Sequence, residues 1–447
     1  MDPIFKALEL VNNLIWSHVA FLFIIGLGAY FSIRSRFFQI RKFGTILRSF
    51  GSYISETSSD RRGIHPLKAF FAAVGGCIGI GNVVGICTAV EIGGPGAMFW
   101  AWIGGLCGML IQYAEVYLGL KHRIKNESNN YDGGPMYYLP VAYKHKWIAP
   151  VVCILLAFYG VEIFMFNVMA DSMAVNWHID LRIVVAFLLF ATFAVALGGI
   201  NRVGEVCGAV IPLFILIYFG MCMWVLAMHV SELPRMFKEI FVGAFTAQAA
   251  QGGFAGSSVG LAISMGLSRG AYSGDIGVGY TSIIYAESRT KQIQRISSLT
   301  IFGLFLDTFV VCTLSILVVL ATGHWKSGID VSLMVQEALA LHFPYMQYFM
   351  PFFLFLLGYT TILAYFVVGV KCAKYLSPKW GPGAYYCFAA IALTLFAFTK
   401  ASHAFTVMSL AGAMLLLVNL TGIFLLRKEI AFGFDRFDKK RDYTGTA

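Results

Sequence analysis

Charged residues are scarce in this sequence. Asp, Glu, Lys and Arg together make up 13% of its 447 residues, whereas soluble globular domains carry about 25%. Apolar residues make up 58% of the chain and the mean hydropathy is +0.74. So little charge excludes an ordinary soluble domain and predicts an all-α polytopic membrane protein.

The sequence also lacks the motifs that are typical of enzymes and of metal sites. Its nine cysteines contain no CxxC pair, so neither a zinc site nor a disulfide framework is predicted. Sequences of the HExxH, GxSxG and Walker types are missing, and there is no long soluble segment to hold a catalytic domain. We therefore expect no enzymatic activity and no cofactor.

Apolar runs of about 20 residues are long enough to cross a bilayer as helices. The sequence contains eleven such runs, at roughly 11–33, 68–90, 96–120, 148–171, 182–200, 206–229, 241–265, 297–322, 345–370, 384–399 and 404–426. The first run has no small-residue cleavage site after it, so we interpret it as a retained helix and not as a signal peptide.

Positive charges predict the orientation, because Lys and Arg concentrate in cytoplasmic loops. With the N-terminus outside and the C-terminus in the cytoplasm, 27 of the 33 Lys and Arg residues face inward, Arg269 among them, and six face outward. This predicts a multi-pass protein of the cytoplasmic (inner) membrane. The net charge of +10 and the pI near 9.1 then reflect contact with anionic lipid of the bilayer, and no nucleic-acid partner is expected.

Two glycine-rich stretches interrupt the apolar runs, at 75–85 and at 252–260. A glycine inside a helix is less favourable than alanine by about 1 kcal/mol, and lipid offers no water to backbone groups that a broken helix frees. Paired interruptions of this kind point to the binding site of secondary transporters. Close helix packing is the alternative explanation, since small residues also serve that purpose in membranes.

The order of the runs predicts an internal repeat. Setting the first run aside leaves ten, five before residue 230 and five after it, and each group begins with a glycine interruption. Because five is odd, the second group enters the membrane from the opposite side, which predicts a 5+5 inverted repeat preceded by one extra N-terminal helix. The expected segments are 1–66 for that helix and a basic loop, 67–229 and 230–426 for the repeats, and 427–447 for a basic cytoplasmic tail.

Several motifs resemble those of known transporters. Residues 75–82, Gly-Gly-Cys-Ile-Gly-Ile-Gly-Asn, resemble the unwound first core helix of the bacterial leucine transporter. A longer resemblance is to the alanine or glycine:cation symporter family, whose motifs occur in the same order at 79–85, 93–100, Glu115, 133–138, 245–257, 268–270, 307–313 and 360–363. This resemblance implies a leucine-transporter-like fold and sodium-driven symport of small neutral amino acids, such as alanine and glycine, into the cell by alternating access.

The sequence departs from that family's pattern at a few positions. Ile80 stands where the family usually has threonine, and Met169 occupies a position that usually carries glutamine. Residues 274–276 read Gly-Asp-Ile in place of Asn-Glu-Ala, and Lys371 replaces a common acidic residue. Since Ile80 and Met169 touch the expected pocket, these departures concern the substrate and not the fold.

An amino acid is a zwitterion, and its two charged groups need different partners. Its carboxylate suits the positive end of a half-helix, which assigns it to the backbone amides of Ile80 and Gly81. Its ammonium group suits free carbonyls of unwound backbone, near Cys77 and in 253–255. The predicted substrate site comprises Cys77, Ile80, Gly81, Met169, Gly252, Gly253, Phe254 and Ala255, with Phe254 closing the pocket over the side chain.

Sodium, the predicted coupling ion, prefers oxygen ligands. By the resemblance, one sodium site is formed by the carbonyls of Gly75 and Ile78 and the hydroxyls of Thr360 and Thr361. A threonine hydroxyl can instead bond a carbonyl one turn earlier in its own helix. Asn82 either provides an amide oxygen to a second sodium site or caps the helix that restarts there.

Three acidic residues lie deep in the apolar runs, where charge is costly and a function is the default expectation. Asp307 either orients an unwound helix or carries a proton, and Glu115 either takes part in proton transfer or gating or simply reaches the membrane interface. Glu162 has no counterpart in the family pattern. For Asp307 and Glu162, pairing with a backbone or hydroxyl donor inside the protein is the alternative.

Two other functions stay open at this point. A proton-coupled amino-acid symporter would differ from the sodium-coupled one only in its ion. A channel would need a continuous polar lining or a charged ring, whereas these runs hold isolated polar residues. The sequence assigns no oligomeric state.

Overall fold

The structure is a computed structural model that describes residues 2–54, 63–126, 130–246, 259–290 and 292–434. Within these ranges the chain is almost entirely helical. Regular strands are limited to a short antiparallel ribbon of β1 (Ile124–Lys125) and β2 (Tyr131–Asp132). Helices satisfy their own backbone hydrogen bonds, which a chain in lipid requires.

The N-terminal part forms one membrane-length helix and two shorter ones. Its elements are α1 (Asp2–Leu14), a π-helical turn (Ile15–Ala20), α2 (Phe21–Arg34), α3 (Phe38–Arg41) and α4 (Phe43–Ile54). The run Ile4–Arg34 is long and apolar enough to span a membrane. A helix is therefore present at the first predicted span, 11–33.

The next part holds the first group of core helices. Its elements are α5 (Pro66–Cys77), a π-helical segment (Gly81–Gly85), α6 (Ile86–Gly93), α7 (Ala97–Lys121), α8 (Pro135–Tyr143), α9 (Ile148–Tyr159), α10 (Ile163–Trp177), α11 (Leu181–Ala196) and α12 (Gly199–Met228).

The second group follows a short 3-10 turn at Val230–Glu232. Its elements are α13 (Leu233–Gly243), α14 (Val259–Ser273), α15 (Tyr280–Ala286), α16 (Ile293–Leu304), a π-helical segment (Phe305–Cys312), α17 (Thr313–Thr322), a 3-10 turn (His324–Lys326), α18 (Val331–Ala340), α19 (Met346–Leu376), α20 (Gly381–Ala397), α21 (Ala401–Leu425) and a 3-10 turn (Arg427–Glu429).

The number of full-length spans is smaller than the eleven expected. Within the described residues, seven helices are long and apolar enough to cross a membrane, or eight if the bent pair α5 and α6 is counted as one span. The shorter apolar helices α11 and α20 occupy the places of the predicted spans at 182–200 and 384–399. The count of eleven is therefore not confirmed, because several core helices are shorter than a full crossing.

The first core helix is interrupted as the glycine pattern predicts. Pro66 occupies the first position of α5, where no N–H is needed, and His65 Nδ1 accepts the Leu67 N–H at 3.2 Å. The helix stops at Cys77 because Ile78 is extended, with φ −79° and ψ 97°. The chain restarts at Gly81 with its axis bent by 44°. This places the interruption at 78–80.

The predicted second interruption at 252–260 lies almost entirely outside the described residues, and it stays a prediction. The expected span at 241–265 likewise falls mostly outside them, between α13, which ends at Gly243, and α14, which is described from Val259. A break inside the core, which we call the second interruption, occurs at 274–279, between α14 and α15. Gly277 and Gly279 there have φ of 75° and 100°, a backbone region that glycine adopts without strain.

Close helix packing fixes the position of this second interruption. A Cβ added to Gly93 would lie 3.1 Å from the Ala262 Cα, and Gly266 leaves no room for a side chain beside the Ala97 carbonyl. Small residues allow membrane helices to approach in this way. Because α14 is held against α6 and α7, its last residue, Ser273, lies beside the first interruption.

One basic residue lies within helix α14. Arg269 is in α14, and its guanidinium carbon is 3.7 Å from the Phe405 ring centroid; its predicted position on the cytoplasmic side stays a prediction. Packing of the cationic group on an aromatic face stabilises it away from a polar loop.

Candidate functional site

The two helix interruptions meet in the interior of the protein. A Cβ added to Gly81 would lie 3.9 Å from the Ser273 Cα, so the restart of the first core helix touches the end of α14. On the other side of the second interruption, the Tyr280 hydroxyl donates to the Ala72 carbonyl at 3.1 Å. Unwound backbone from two helices therefore borders one region, which we call the central site.

An apolar wall borders the central site where two of the unusual residues meet. Ile80 and Met169 are both fully buried. A Cβ added to Gly358 of α19 would lie 2.9 Å from Ile80 Cδ1 and 3.3 Å from Met169 Sδ. The structure thus brings together these two predicted substrate residues, and both present hydrocarbon or thioether groups where the family pattern has polar ones.

The other predicted substrate residues divide into two sets. Cys77 ends α5 and Gly81 begins the π-helical segment after the break, so both lie at the first interruption. Gly252, Gly253, Phe254 and Ala255 lie outside the described residues. Their predicted contact with the substrate remains a prediction.

The predicted sodium ligands include one cross-helix contact. The Thr361 hydroxyl donates to the Gly75 carbonyl at 3.1 Å and to the Leu357 carbonyl at 3.2 Å. The Thr360 hydroxyl donates to Leu357 at 2.9 Å, within its own helix. Thr361 and Gly75 are therefore brought together, whereas Thr360 makes the local bond that was the alternative. Ile78 lies in the same interruption, fully buried.

Asn82 links the first interruption to the π-helical segment that follows α16. Its Oδ1 accepts the Gly79 N–H at 2.9 Å, within the interruption. Its Nδ2 donates to the Asp307 carboxylate and lies 3.3 Å from Cys312 Sγ. Both roles predicted for Asn82, a sodium ligand and a helix cap, stay predictions.

Asp307 is completely buried and well supplied with donors. Besides Asn82, it accepts hydrogen bonds from the hydroxyls of Ser273, at 3.1 Å, and Thr308, at 2.8 Å. Three donors from three segments stabilise a carboxylate in a low-dielectric interior. Asp307 therefore ties the end of α14 to the first interruption.

Glu115 lies in the protein interior. Its side chain is fully buried, and its carboxylate accepts the N–H groups of Gly279, at 3.0 Å, and Ser282, at 3.2 Å. The Asn419 amide also donates to it, at 2.9 Å. Glu115 thus caps α15 and joins it to α7 and α21.

An ion-pair cluster closes one end of the core. Lys371 of α19 contacts Asp132 of β2 at 3.1 Å and also pairs with Glu287, which follows α15. Burial raises the pKa of Glu287 above its usual range, and the neighbouring Lys371 ammonium opposes that rise. We call these three residues the Lys371 clasp.

Backbone contacts reinforce the clasp. The Ile64 N–H donates to the Glu287 carbonyl at 2.9 Å, and the Arg289 N–H donates to the Ile64 carbonyl at 2.8 Å. Arg123 donates to the carbonyls of Ala286 and Ser288 at 3.0 and 2.7 Å. The segment that leads into α5 is therefore joined to the segment that leaves α15.

The sequence analysis missed the residues of the second interruption, above all Ser273 and Asp275. A usable signal was present: Gly274, Gly277 and Gly279 surround Asp275 within a few residues. This spacing was treated only as a departure from a family pattern. The stretch at 252–260 has a similar glycine content, so composition alone did not distinguish the two.

Comparison with known proteins identifies the family and the fold. The model of the sodium:alanine symporter family matches residues 1–446. The chain is 31% identical over 436 residues to the sodium/alanine symporter AgcS of Methanococcus maripaludis, with 93% of each chain covered. It is 26% identical over 390 residues to the amino-acid carrier protein AlsT of Bacillus subtilis, covering 85% of this chain and 81% of that one.

Among solved structures, the chain resembles MhsT in complex with L-phenylalanine. The TM-score is 0.56 at 14% identity, over 83% of this chain and 89% of that one. This match confirms the predicted leucine-transporter-like fold.

Proposed function

The chain belongs to the sodium:alanine symporter family, and on that basis we propose that it carries small neutral amino acids, such as alanine and glycine, into the cell together with sodium. Members of this family are transporters and not enzymes, and amino-acid:cation symport across a membrane is the activity that the family description and the names of its relatives support. The particular amino acids, the ion and the direction are our proposal.

The observation that carries this proposal is the meeting of the two interruptions, at 78–80 and 274–279. Each interruption frees backbone N–H and C=O groups that lipid does not satisfy. A zwitterionic substrate and a cation supply partners of both signs. Discontinuous helices that meet at mid-membrane are typical of such sites in secondary transporters.

The substrate is oriented by the first interruption. In our proposal its carboxylate accepts the backbone N–H groups of Ile80 and Gly81, where the restarting helix presents its positive end. The wall of Ile80 and Met169 against Gly358 favours a small apolar side chain. A contact with Gly252, Gly253, Phe254 and Ala255 is still predicted from the sequence.

Sodium binds beside this site in our proposal. The Thr361 hydroxyl and the Gly75 carbonyl, 3.1 Å apart, provide two of the neutral oxygens that the ion prefers, with Ile78 and Thr360 as further predicted ligands. Asn82 is the candidate for a second ion. A cation held against the carbonyl end of α5 links ion binding to the geometry of the first interruption.

A proton-coupled symporter is the second candidate, and Asp307 is the observation that favours it. This carboxylate is fully buried and bonded to Asn82 at the first interruption. Loss or gain of its proton would alter that bond directly. We prefer sodium because neutral oxygens from two helices converge at Thr361.

The test is uptake of labelled amino acids by proteoliposomes that contain the full chain. We expect alanine and glycine to accumulate when a sodium gradient is imposed and not when choline replaces sodium at constant pH. Equal uptake in both media, together with acidification of the lumen, would favour the proton-coupled alternative. Absence of uptake for a panel of neutral amino acids under either gradient would contradict amino-acid symport by this chain.

A further inference from the structure

Two buried carboxylates at helix interruptions take no part in the networks described above. Glu162 separates α9 from α10, and Asp275 lies in the second interruption. Both residues have a left-handed backbone, with φ of 54° and 50°, which is uncommon for residues other than glycine. Such conformations cluster at functional sites.

One oxygen of each carboxylate has no hydrogen-bond partner in the part of the protein that the structure describes. The two side chains are each only 2% exposed, and the tyrosines three residues before them, Tyr159 and Tyr272, meet at 6.5 Å between ring centroids. Glu162 Oε2 and Asp275 Oδ2 have no hydrogen-bond partner among the described residues. Buried oxygens of this kind need a donor or a counter-charge.

Tyrosines surround the pair and add further unsatisfied groups. Tyr365 stacks on Tyr280 at 4.0 Å and meets Tyr159 edge-on at 5.5 Å, and Tyr159 in turn meets Tyr272 at 6.5 Å between ring centroids. Within the described ranges, the hydroxyls of Tyr272, Tyr365 and Tyr385 also have no hydrogen-bond partner. Several buried polar groups in this cluster therefore lack a hydrogen-bond partner among the described residues.

The pair borders the central site. Asp275 lies two residues after Ser273, which touches the restart at Gly81, and a Cβ added to its neighbour Gly274 would lie 3.3 Å from Asp307 Oδ2. Cys77 is the last residue of α5 and precedes the interruption at 78–80. Asp275 thus approaches the same unwound backbone to which the substrate carboxylate is assigned.

The described residues provide no counter-charge. No Lys, Arg or His pairs with Glu162 or Asp275 among them. The Arg269 guanidinium lies on the Phe405 ring, and Lys371 is held in its clasp. Among the described residues, the two carboxylates therefore have no cationic partner, and an ammonium group is a ligand that fits them.

We propose that Glu162 and Asp275 form a cation subsite that binds the ammonium group of the transported amino acid. This inference rests on the proposed function, because it requires an amino acid whose carboxylate lies on the amides of Ile80 and Gly81. An ammonium group brings one positive charge and three N–H donors. It satisfies the carboxylate oxygens that lack partners and the hydroxyl oxygen of Tyr365.

The chemistry of an α-amino acid explains why ammonium suits this place. Its carboxylate and ammonium are attached to the same carbon, so their two subsites must be neighbours. Asp275 meets that requirement through its position two residues after Ser273, which lies beside Gly81. In this arrangement the two carboxylates bind the ammonium group, which the sequence analysis assigned to free backbone carbonyls alone.

The test measures affinity for L-alanine and for L-lactate, in which a hydroxyl replaces the ammonium group. Isothermal titration calorimetry would use the purified full chain at saturating sodium. Wild type should bind alanine at least 100-fold more tightly than lactate. Asp275→Asn and Glu162→Gln should each weaken alanine binding at least 10-fold and reduce the alanine-to-lactate preference by a similar factor, while Asp275→Glu should keep most of that preference.

Asp171→Asn is the matched control, because Asp171 is an exposed carboxylate of α10, the helix that Glu162 directly precedes. It should bind both ligands as wild type does. Thermal unfolding checks that each variant is folded. If Asp275→Asn is not folded, the comparison of Asp275→Glu with wild type remains interpretable.

Four results would overturn the inference or its premise. Unchanged alanine affinity in both neutral variants would exclude the subsite. A shift only in the sodium concentration for half-maximal binding would assign the pair to sodium. A shift only in the pH profile of binding would assign it to a proton. Either result would reject ammonium binding by the pair. Failure of the wild type to bind any amino acid would instead contradict the proposed function itself.

Discussion

Thr360 and Thr361 are neighbours in α19, and both hydroxyls donate to the Leu357 carbonyl of that helix. Thr361 also donates across to the Gly75 carbonyl of α5, a bond that Thr360 does not make among the described residues. We therefore predict that Thr361→Ala raises the sodium concentration for half-maximal alanine uptake about 5- to 30-fold, the equivalent of ~1–2 kcal/mol for one lost polar contact. Uptake by proteoliposomes over a range of sodium concentrations measures it.

Thr360→Ala is the matched control for that prediction, and its effect on sodium dependence should be smaller. Thr361→Ser keeps the hydroxyl and should restore near-normal sodium dependence. Equal sodium dependence in Thr361→Ala and wild type, at normal expression, would remove Thr361 from the cation site.

Ile80 and Met169 meet at Gly358 and make that wall of the central site apolar. We predict that Met169→Gln shifts selectivity from alanine toward serine by about 5- to 10-fold, because a buried amide prefers a polar partner and such pocket contacts are worth ~1–3 kcal/mol. Competition of labelled alanine by unlabelled amino acids provides the measurement. Met169→Leu conserves volume and apolarity and should keep the wild-type ranking of competing amino acids. If Met169→Gln also left that ranking unchanged, the side-chain pocket would lie elsewhere.

At the scale of an element, α15 depends on Glu115 from another helix. The carboxylate accepts two N–H groups at the start of α15, which would otherwise remain unsatisfied in the interior. Glu115→Gln replaces one acceptor by a donor, so we predict a loss of ~1–3 kcal/mol in unfolding free energy, observed as a lower apparent Tm in detergent. A normal Tm combined with a lost pH dependence of uptake would instead support the proton or gating role.

For the whole molecule, the Lys371 clasp joins α19 to the end of α15 and to β2. Breaking it should favour the state in which the central site opens at that end. We predict that Lys371→Gln increases the rate of maleimide labelling at Cys77 several-fold, measured by mass spectrometry of the Cys77 peptide. Lys379 lies outside the clasp, so Cys77 in Lys379→Ala should be labelled at the wild-type rate. A wild-type labelling rate at Cys77 in Lys371→Gln would mean that the clasp is not a gate.

The net charge moved across the membrane in each transport cycle is also a property of the whole molecule. A neutral zwitterion moving with one sodium ion transfers one positive charge, worth about 2.3 kcal/mol per 100 mV. We predict that an inside-negative potassium diffusion potential of this size increases alanine accumulation up to ~50-fold at equal sodium on both sides. Accumulation that does not respond to the potential would rule out this stoichiometry.

Much of this protein is determined by the sequence alone. Scarce charge and long apolar runs determine a helical membrane protein, and the motifs along the chain indicate the family that the comparisons then confirm. The interruption at 78–80 was also predictable, because the glycines of 75–85 weaken one helix locally, whatever it packs against.

Only the tertiary structure decided that the segment 274–279 lies beside that interruption. In sequence, 252–260 and 274–279 both combine glycine with apolar neighbours. The packing of α14 on α6 and α7 brings 274–279 beside the first break, and it brings Tyr272, three residues before Asp275, against Tyr159, three residues before Glu162. That pairing joins residues far apart in the chain, and its energy resides in interhelical contacts and desolvation, which no local pattern of residues encodes.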